Sequence, residues 1–195
     1  MKSHANSMTL FYLSLLFRPI RKAMKINIRP ENKNDYSVIT MINDMAFGQE
    51  AEGKLVEKLR KNRKFIKELS LVASMGNEVV GHILFFPILI KSNEKEFQSL
   101  ALAPMSVIPE LQSLGIGSQL VEKGLSKAKK LGHQSVIVLG HDKYYPKFGF
   151  KPASKFDITA PFEVPDQAFM AIELEKNSLD CVQGCVEYPK EFNDL

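Results

Sequence analysis

QSLGIGSQLVEKGL, residues 112–125, sets two glycines one residue apart at the mouth of an amphipathic helix. Leu120, Val121, Leu125, Ala128 and Leu131 recur at helical spacing, and Gly132 stops the run. A helix begins with unpaired backbone N–H groups and the positive end of its dipole, so its mouth favours an anion. Glycines at 115 and 117 remove the side chains that would hold that anion at a distance. Phosphate is the guest these features suit; the plainer alternative is that Gly115 and Gly117 only permit a tight strand-to-helix turn. No G-K-[ST] follows, which excludes a P-loop, and Leu120 stands where G-x-G-x-x-G needs its third glycine.

Strands flank this segment on both sides. Downstream, SVIVL (135–139) is a short uninterrupted apolar run, the mark of a strand buried on both faces. A strand, a helix and another strand in that order imply a parallel crossover. Upstream, residues 69–74 and 78–90 are apolar, β-branched runs separated by Gly76-Asn77, a hairpin signal, and a third run at 97–108 follows the polar turn 92–95. Three consecutive antiparallel strands result. Pro87 and Pro104 lie inside these runs and must fall at an edge or a bulge, where a missing N–H does no harm. A bulge within the sheet would splay its strands.

MKINIRP alternates apolar and polar residues up to Pro30 and predicts a half-buried first strand. Two helices follow, one capped by Asn34 or Asp35 and carrying Val38, Ile39, Ile42 and Met45 up to Phe47-Gly48, the other marked by Leu55, Val56, Leu59 and Ile66. FMAIEL (169–174) supplies a late strand. The order β-α-α-β-β-β-α-β predicts an α+β fold with α/β/α layers, an antiparallel meander joined to a parallel pair.

A chain of 195 residues with 45% apolar and 25% charged residues can bury one core. The net charge of +4 comes from 26 basic and 22 acidic residues mixed along the chain, so no nucleic-acid stripe stands out, although a mildly basic face can draw in an anionic cofactor. Cys181 and Cys185 lack the second pair or histidines a metal site needs and read as reduced thiols of a cytoplasmic protein. Leu10 to Phe17 is apolar but far short of the roughly 20 residues of a membrane span. The basic stretch follows it, and no signal-peptide cleavage site appears. Residues 1–23 therefore read as a leader outside a domain of residues 24–195, with an interfacial anchor as the alternative. Homodimerisation stays open.

SVIPELQSLGIGS (106–118) resembles the V-x-P-x-x-Q/R-x-x-G-x-G/A signature of the GNAT superfamily of N-acetyltransferases, and YPKFGF (145–150) resembles that family's Y-x-x-x-G-F signature at the expected separation. VVGH (79–82), LGHDKYYPKFGF (139–150) and GCVEYPKEF (184–192) are similar to its YhbS-like branch. The resemblance runs from Met24 to the C-terminus. It implies acetyl-CoA as cosubstrate without a metal, and a diphosphate on the backbone amides of Gln112, Ser113, Leu114, Gly115, Gly117 and Ser118. The pantetheine arm would lie between the strand ending near Val107, whose N–H region polarises the acetyl carbonyl, and the strand 135–139. Leu114 stands where family members carry Arg or Lys, so one cationic contact is missing.

The chemistry this implies has a primary amine of a small molecule or peptide attack the thioester, an oxyanion form and the leaving thiolate take a proton. Tyr145 occupies the family's general-acid position, with Tyr144 as a stand-in; the alternative is a packing aromatic beside Phe148 and Phe150. The base is open. Residues 100–108 contain no ionisable side chain, Glu110 faces solvent, and His82 is either a proton relay through water or a hydrogen-bonded core residue. Glu50 and Glu52 border the expected acceptor pocket, which the loops 46–54 and 153–168 would shape. His141 and Asp142 stand where relatives place a cofactor-contacting Asn. A non-catalytic CoA-binding regulator or an interaction module is the other reading.

Overall fold

A computed structural model describes residues 25–93 and 95–194, so the expectation for residues 1–23 falls outside the described chain. β1 (Ile26–Pro30), β2 (Ser70–Met75), β3 (Glu78–Lys91) and β4 (Glu96–Val107) form an antiparallel run in sequence order. β5 (Ser135–Leu139) then joins β4 in parallel and is followed by β8 (Phe169–Glu173) and β6 (Lys151–Pro152). The short β9 (Gly184–Glu187) pairs with the far end of β3, and β7 (Ile158–Thr159) pairs with β9.

Both prolines sit where their missing donor is harmless. Ile83 pairs with Met105 and Phe85 with Leu102, so Ala103-Pro104 bulges out opposite Leu84 alone. Along the outer edge of β3, β2 reaches only to Leu84 and β9 begins only at Leu89, which leaves Pro87 in the interval. The bulge has the predicted consequence: β4 and β5 pair only at Leu100–Val136 and Ala101–Ile137 and then diverge.

Three helices cover the sheet. α1 (Tyr36–Phe47) and α2 (Ala51–Lys61) pack on one face, where Ile39, Ile42, Leu55, Val56 and Leu59 meet Val72, Leu84 and Phe86. α3 (Ile116–Lys130) covers the other, burying Ile116, Leu120 and Val121 against Ile83, Phe85 and Leu102. Each such side chain contributes about 1.5–3 kcal/mol when fully buried. Val136 and Val138 join the α3-side core while Ile137 joins a third cluster with Phe169 and Val186, so β5 is apolar on both faces as its sequence demanded.

The α1 entry differs from expectation. Asp35 holds the N-cap position, as one of the two expected residues, but a 3-10 turn (Lys33–Asp35) precedes it and is capped by Asn32, whose side chain accepts from the Asn34 amide at 2.9 Å while the Asp35 carboxylate accepts from the Asn32 amide at 2.7 Å. Asp35 makes no bond to the α1 amides; Arg29 donates to both its oxygens at 2.6 and 2.9 Å and holds its carboxyl below the usual range. α2 ends at Lys61, short of Ile66, which lies in the connection to β2.

Candidate active site

Where β4 and β5 part, a cleft of about 1470 Å³ opens. Ala101–Val107 of β4, Ile137 and Leu139 of β5, and the turn before α3 form its walls. It gathers Val107, Gln112, Ser113, Gly115, Gly117, Ser118, Glu52, His141, Tyr144 and Tyr145, residues spread over ninety positions of sequence. Glu50 does not line it and is exposed, paired with Lys54 at 2.7 Å. Asp142 and Glu110 do not line it either.

At the mouth of α3, Gly115 takes a left-handed conformation (φ 83°) as N-cap, and no side chain caps the first turn. Ser113 is also left-handed (φ 62°), a costly conformation for a non-glycine residue that turns the chain sharply here. The amides of Ile116, Gly117 and Ser118 thus begin a helix without a protein acceptor supplied by a cap. Gln112 and Leu114 are placed differently from the rest of the turn. Gln112 donates its amide to the Pro109 carbonyl at 3.2 Å and its side-chain NH₂ to the Val107 carbonyl at 3.1 Å, so it braces the turn rather than offering an N–H. Leu114, between the two left-handed residues, is carried to the tip of the turn; its side chain is half exposed and does not line the cleft.

A cation stands beside this turn. Lys147 donates from Nζ to Ser118 Oγ at 3.0 Å and lies 3.9 Å from the Tyr144 ring centroid. Its place inside YPKFGF was the signal sequence reading passed over, because a one-turn 3-10 helix (Tyr145–Phe148) is what aims it back at α3. Tyr144 is drawn to the same spot. A Cβ at position 117 would stand 2.8 Å from its hydroxyl. Burial pushes its phenol up, with the nearby Ser118 hydroxyl acting the other way. Tyr144 therefore packs against the turn that opens α3.

Tyr145 is different. It is 7% exposed, set edge-on against Tyr144 and Phe150 with ring centroids 5.2 and 5.5 Å away, and it lines the cleft. A side chain at Gly140 would run into its ring, so the glycine that ends β5 makes the room for it. Burial, with a smaller push from Tyr144, raises its phenol far above the ordinary range. The hydroxyl stays protonated throughout the working pH range.

On the α1/α2 side, Arg60 donates to both oxygens of the buried Glu31 at 2.8 and 3.0 Å. His82 Nε2 lies 2.9 Å from Ser70 Oγ and 3.8 Å from Glu31. Complete burial, aided by Arg60, pushes the imidazole down to about 3, so His82 is neutral and its contact with Glu31 is no ion pair. It does not line the cleft. At the cleft's other end stand Phe47 and Phe162, each about half exposed, with Tyr188 stacked on Phe162 at 6.2 Å and packed on Phe192 at 5.1 Å. Glu52 and Glu187 add carboxylates, Glu187 being paired with Lys91 at 3.1 Å. Among the described residues no three His, Cys, Asp or Glu side chains gather as a metal site, and no helix is long and apolar enough to cross a membrane.

Residues 37–150 match the model of the acetyltransferase (GNAT) family. The chain belongs to that family. Among its GNAT relatives is the uncharacterized N-acetyltransferase YjhQ of Escherichia coli K12, 37% identical over 137 residues, which span 70% of this chain and 76% of YjhQ. The uncharacterized N-acetyltransferase YhbS of the same strain is 31% identical over 167 residues, 85% of this chain and 98% of YhbS. The fold is shared as well. The crystal structure of E. coli YhbS in complex with CoA superimposes with a TM-score of 0.80 at 30% identity, covering 88% of this chain and 93% of that one. A Brucella melitensis GNAT acetyltransferase in complex with acetyl-CoA gives 0.71 at 30% identity, covering 87% and 99%.

Proposed function

We propose that this chain moves an acetyl group from acetyl-CoA to a primary amine of a small molecule or peptide, by direct attack through a tetrahedral intermediate. One observation carries the reading: an uncapped, glycine-led helix mouth and a buried, protonated tyrosine open onto the same gap between two parted strands. The two relatives crystallised with CoA or acetyl-CoA share this fold.

The amides of residues 116–118, with Lys147, hold the diphosphate. The unpaired edges of β4 beyond Ala101 and of β5 beyond Ile137 offer backbone groups to the pantetheine arm, and a main-chain N–H near Val107 polarises the acetyl carbonyl. Tyr145 returns a proton to the departing thiolate. Its raised pKa makes it a reluctant donor, so transfer belongs to the moment when the intermediate collapses and the sulfur becomes basic. Phe47, Phe162 and Tyr188, beside Glu52, favour an acceptor with an apolar or aromatic body and disfavour an anionic one.

Acetyl-CoA at 100 times its Kd is expected to stabilise the fold by about 2.7 kcal/mol, which raises Tm by roughly 5–10 °C for a domain of this size. A panel of amines assayed for free thiol then shows turnover. No shift at millimolar acetyl-CoA would falsify the cofactor reading; a shift without thiol release from any amine would leave a binder that is not an enzyme. Lys147→Met is expected to weaken acetyl-CoA about fivefold, the worth of an exposed charge contact near 1 kcal/mol, with kcat unchanged. Calorimetric titration of both proteins checks it.

A further inference from the structure

The search for a base ends at two polar atoms that the fold has stranded side by side. Ser106 on β4 and His82 on β3 are register partners of the antiparallel ladder, so their side chains leave the same face with Cβ atoms about 4.5–5.5 Å apart. Both residues are buried, at 3% and 0% exposure, and neither Ser106 Oγ nor His82 Nδ1 has a hydrogen-bond partner among the described residues. Leaving such an atom unsatisfied costs about 1–3 kcal/mol, and two adjacent ones ask for a common partner. Ser106 lines the cleft directly after the bulge. A third stranded acceptor, Asn43 Oδ1, belongs to the α1 stripe Ile39, Ile42, Asn43, Ala46, whose last member also lines the cleft.

The tautomer of His82 follows from its other nitrogen. Nε2 faces Ser70 Oγ, which can accept or donate, and lies 3.8 Å from the negatively charged Glu31 carboxylate, which favours the ring's one proton on Nε2 and a lone pair on Nδ1. A lone pair on Nδ1 and a hydroxyl on Ser106 are the two ends of a site for one water molecule.

We propose that a water bound between Ser106 Oγ and His82 Nδ1 takes the first proton from the acceptor's ammonium group. The water donates one O–H to Nδ1, which makes its oxygen more basic, and is fixed by the Ser106 hydroxyl with its remaining lone pair toward the cleft. The ammonium N–H bond breaks, its electron pair stays on nitrogen, and the proton passes through this water to the bulk water of the cleft. The neutral amine then attacks. Its second proton balances the one taken up by the thiolate, so the overall reaction releases one proton. His82, braced by Ser70, Glu31 and Arg60, is a positioning residue: it never ionises. The proposal rests on the acetyl-transfer reading and supplies the step for which the cleft-lining stretch of β4, residues 101–107, carries no carboxylate.

A crystal structure of the CoA complex, at a resolution that orders solvent, is expected to show a water within about 2.7–3.2 Å of both atoms. A direct Ser106–His82 bond, or a side chain filling that place, overturns the proposal whether or not turnover has been found. In kinetics, Ser106→Ala is expected to lower kcat at neutral pH by about 100-fold, the lower range for a lost acid–base group, with the acetyl-CoA KM unchanged. Ser106→Thr, which keeps the hydroxyl, restores the rate, a rescue that a merely structural loss would not give. His82→Gln reports the same loss if it folds; Ser106→Ala removes a single oxygen and decides the matter if it does not. A wild-type kcat in Ser106→Ala overturns the relay while the acetyl-CoA thermal shift, which does not depend on Ser106, still judges the transfer reading separately.

Discussion

Tyr145→Phe is expected to lower kcat by about 100-fold or more, the range for removing a positioned general acid, while the acetyl-CoA KM and Tm stay near wild type. The ring remains, so its edge contacts with Tyr144 and Phe150 survive and only the hydroxyl is lost. Steady-state thiol release with any accepted amine measures it. Because burial holds the phenol protonated well beyond neutrality, the wild-type rate has no basic limb that belongs to this residue. Tyr144→Phe discriminates: it removes a hydroxyl that lies against position 117 of the turn before α3, so it raises the KM for acetyl-CoA rather than lowering kcat. If Tyr145→Phe keeps full activity, the thiolate departs unaided and the tyrosine is a packing residue.

Arg60→Met carries the largest stability effect. Arg60 is the bidentate partner of Glu31, which is 1% exposed, and its guanidinium also stacks 4.1 Å over the Tyr36 ring. Removing one member of a buried pair leaves an uncompensated charge and costs about 3–5 kcal/mol. For a chain of this size that lowers Tm by roughly 6–20 °C. Urea unfolding of Arg60→Met, Glu31→Leu and the double variant checks it: the double is expected to recover much of the loss, since apolar groups of similar volume can replace such a pair. A single variant within 1 kcal/mol of wild type would mean that Glu31 finds water when Arg60 is gone.

The main frame of the fold was legible because its elements announce themselves locally. The Gly76-Asn77 turn, the uninterrupted SVIVL run and the 3.6-residue spacing after Gly117 each needed only neighbouring residues, and the misplaced prolines pointed to the bulge at Ala103-Pro104 and hence to the parted strands. β6, β7 and β9 were not legible; strands of two to four residues exist only because a partner strand holds them. The same limit governs the site. Gly115 and Gly117 were named from their own run and Tyr145 through the resemblance of YPKFGF to a family signature, whereas Lys147 reaches Ser118 only through a 3-10 turn, and Gln112 withdraws its amide through a bond three residues back. The His82–Ser106 juxtaposition joins positions 24 residues apart through a ladder register that the Pro104 bulge shifts, and no periodicity encodes that.

The divergence of β4 from β5 has a mechanical side. Strands β1 to β4 form one half-sheet and β5, β8 and β6 another, and only two register pairs sew them together along the seam. Opening such a seam breaks few backbone bonds, so it belongs to the least costly excursions of the native protein. On the proposed reading, a cosubstrate arm bonded to both lips would act as the missing stitches and lend the two halves their cohesion.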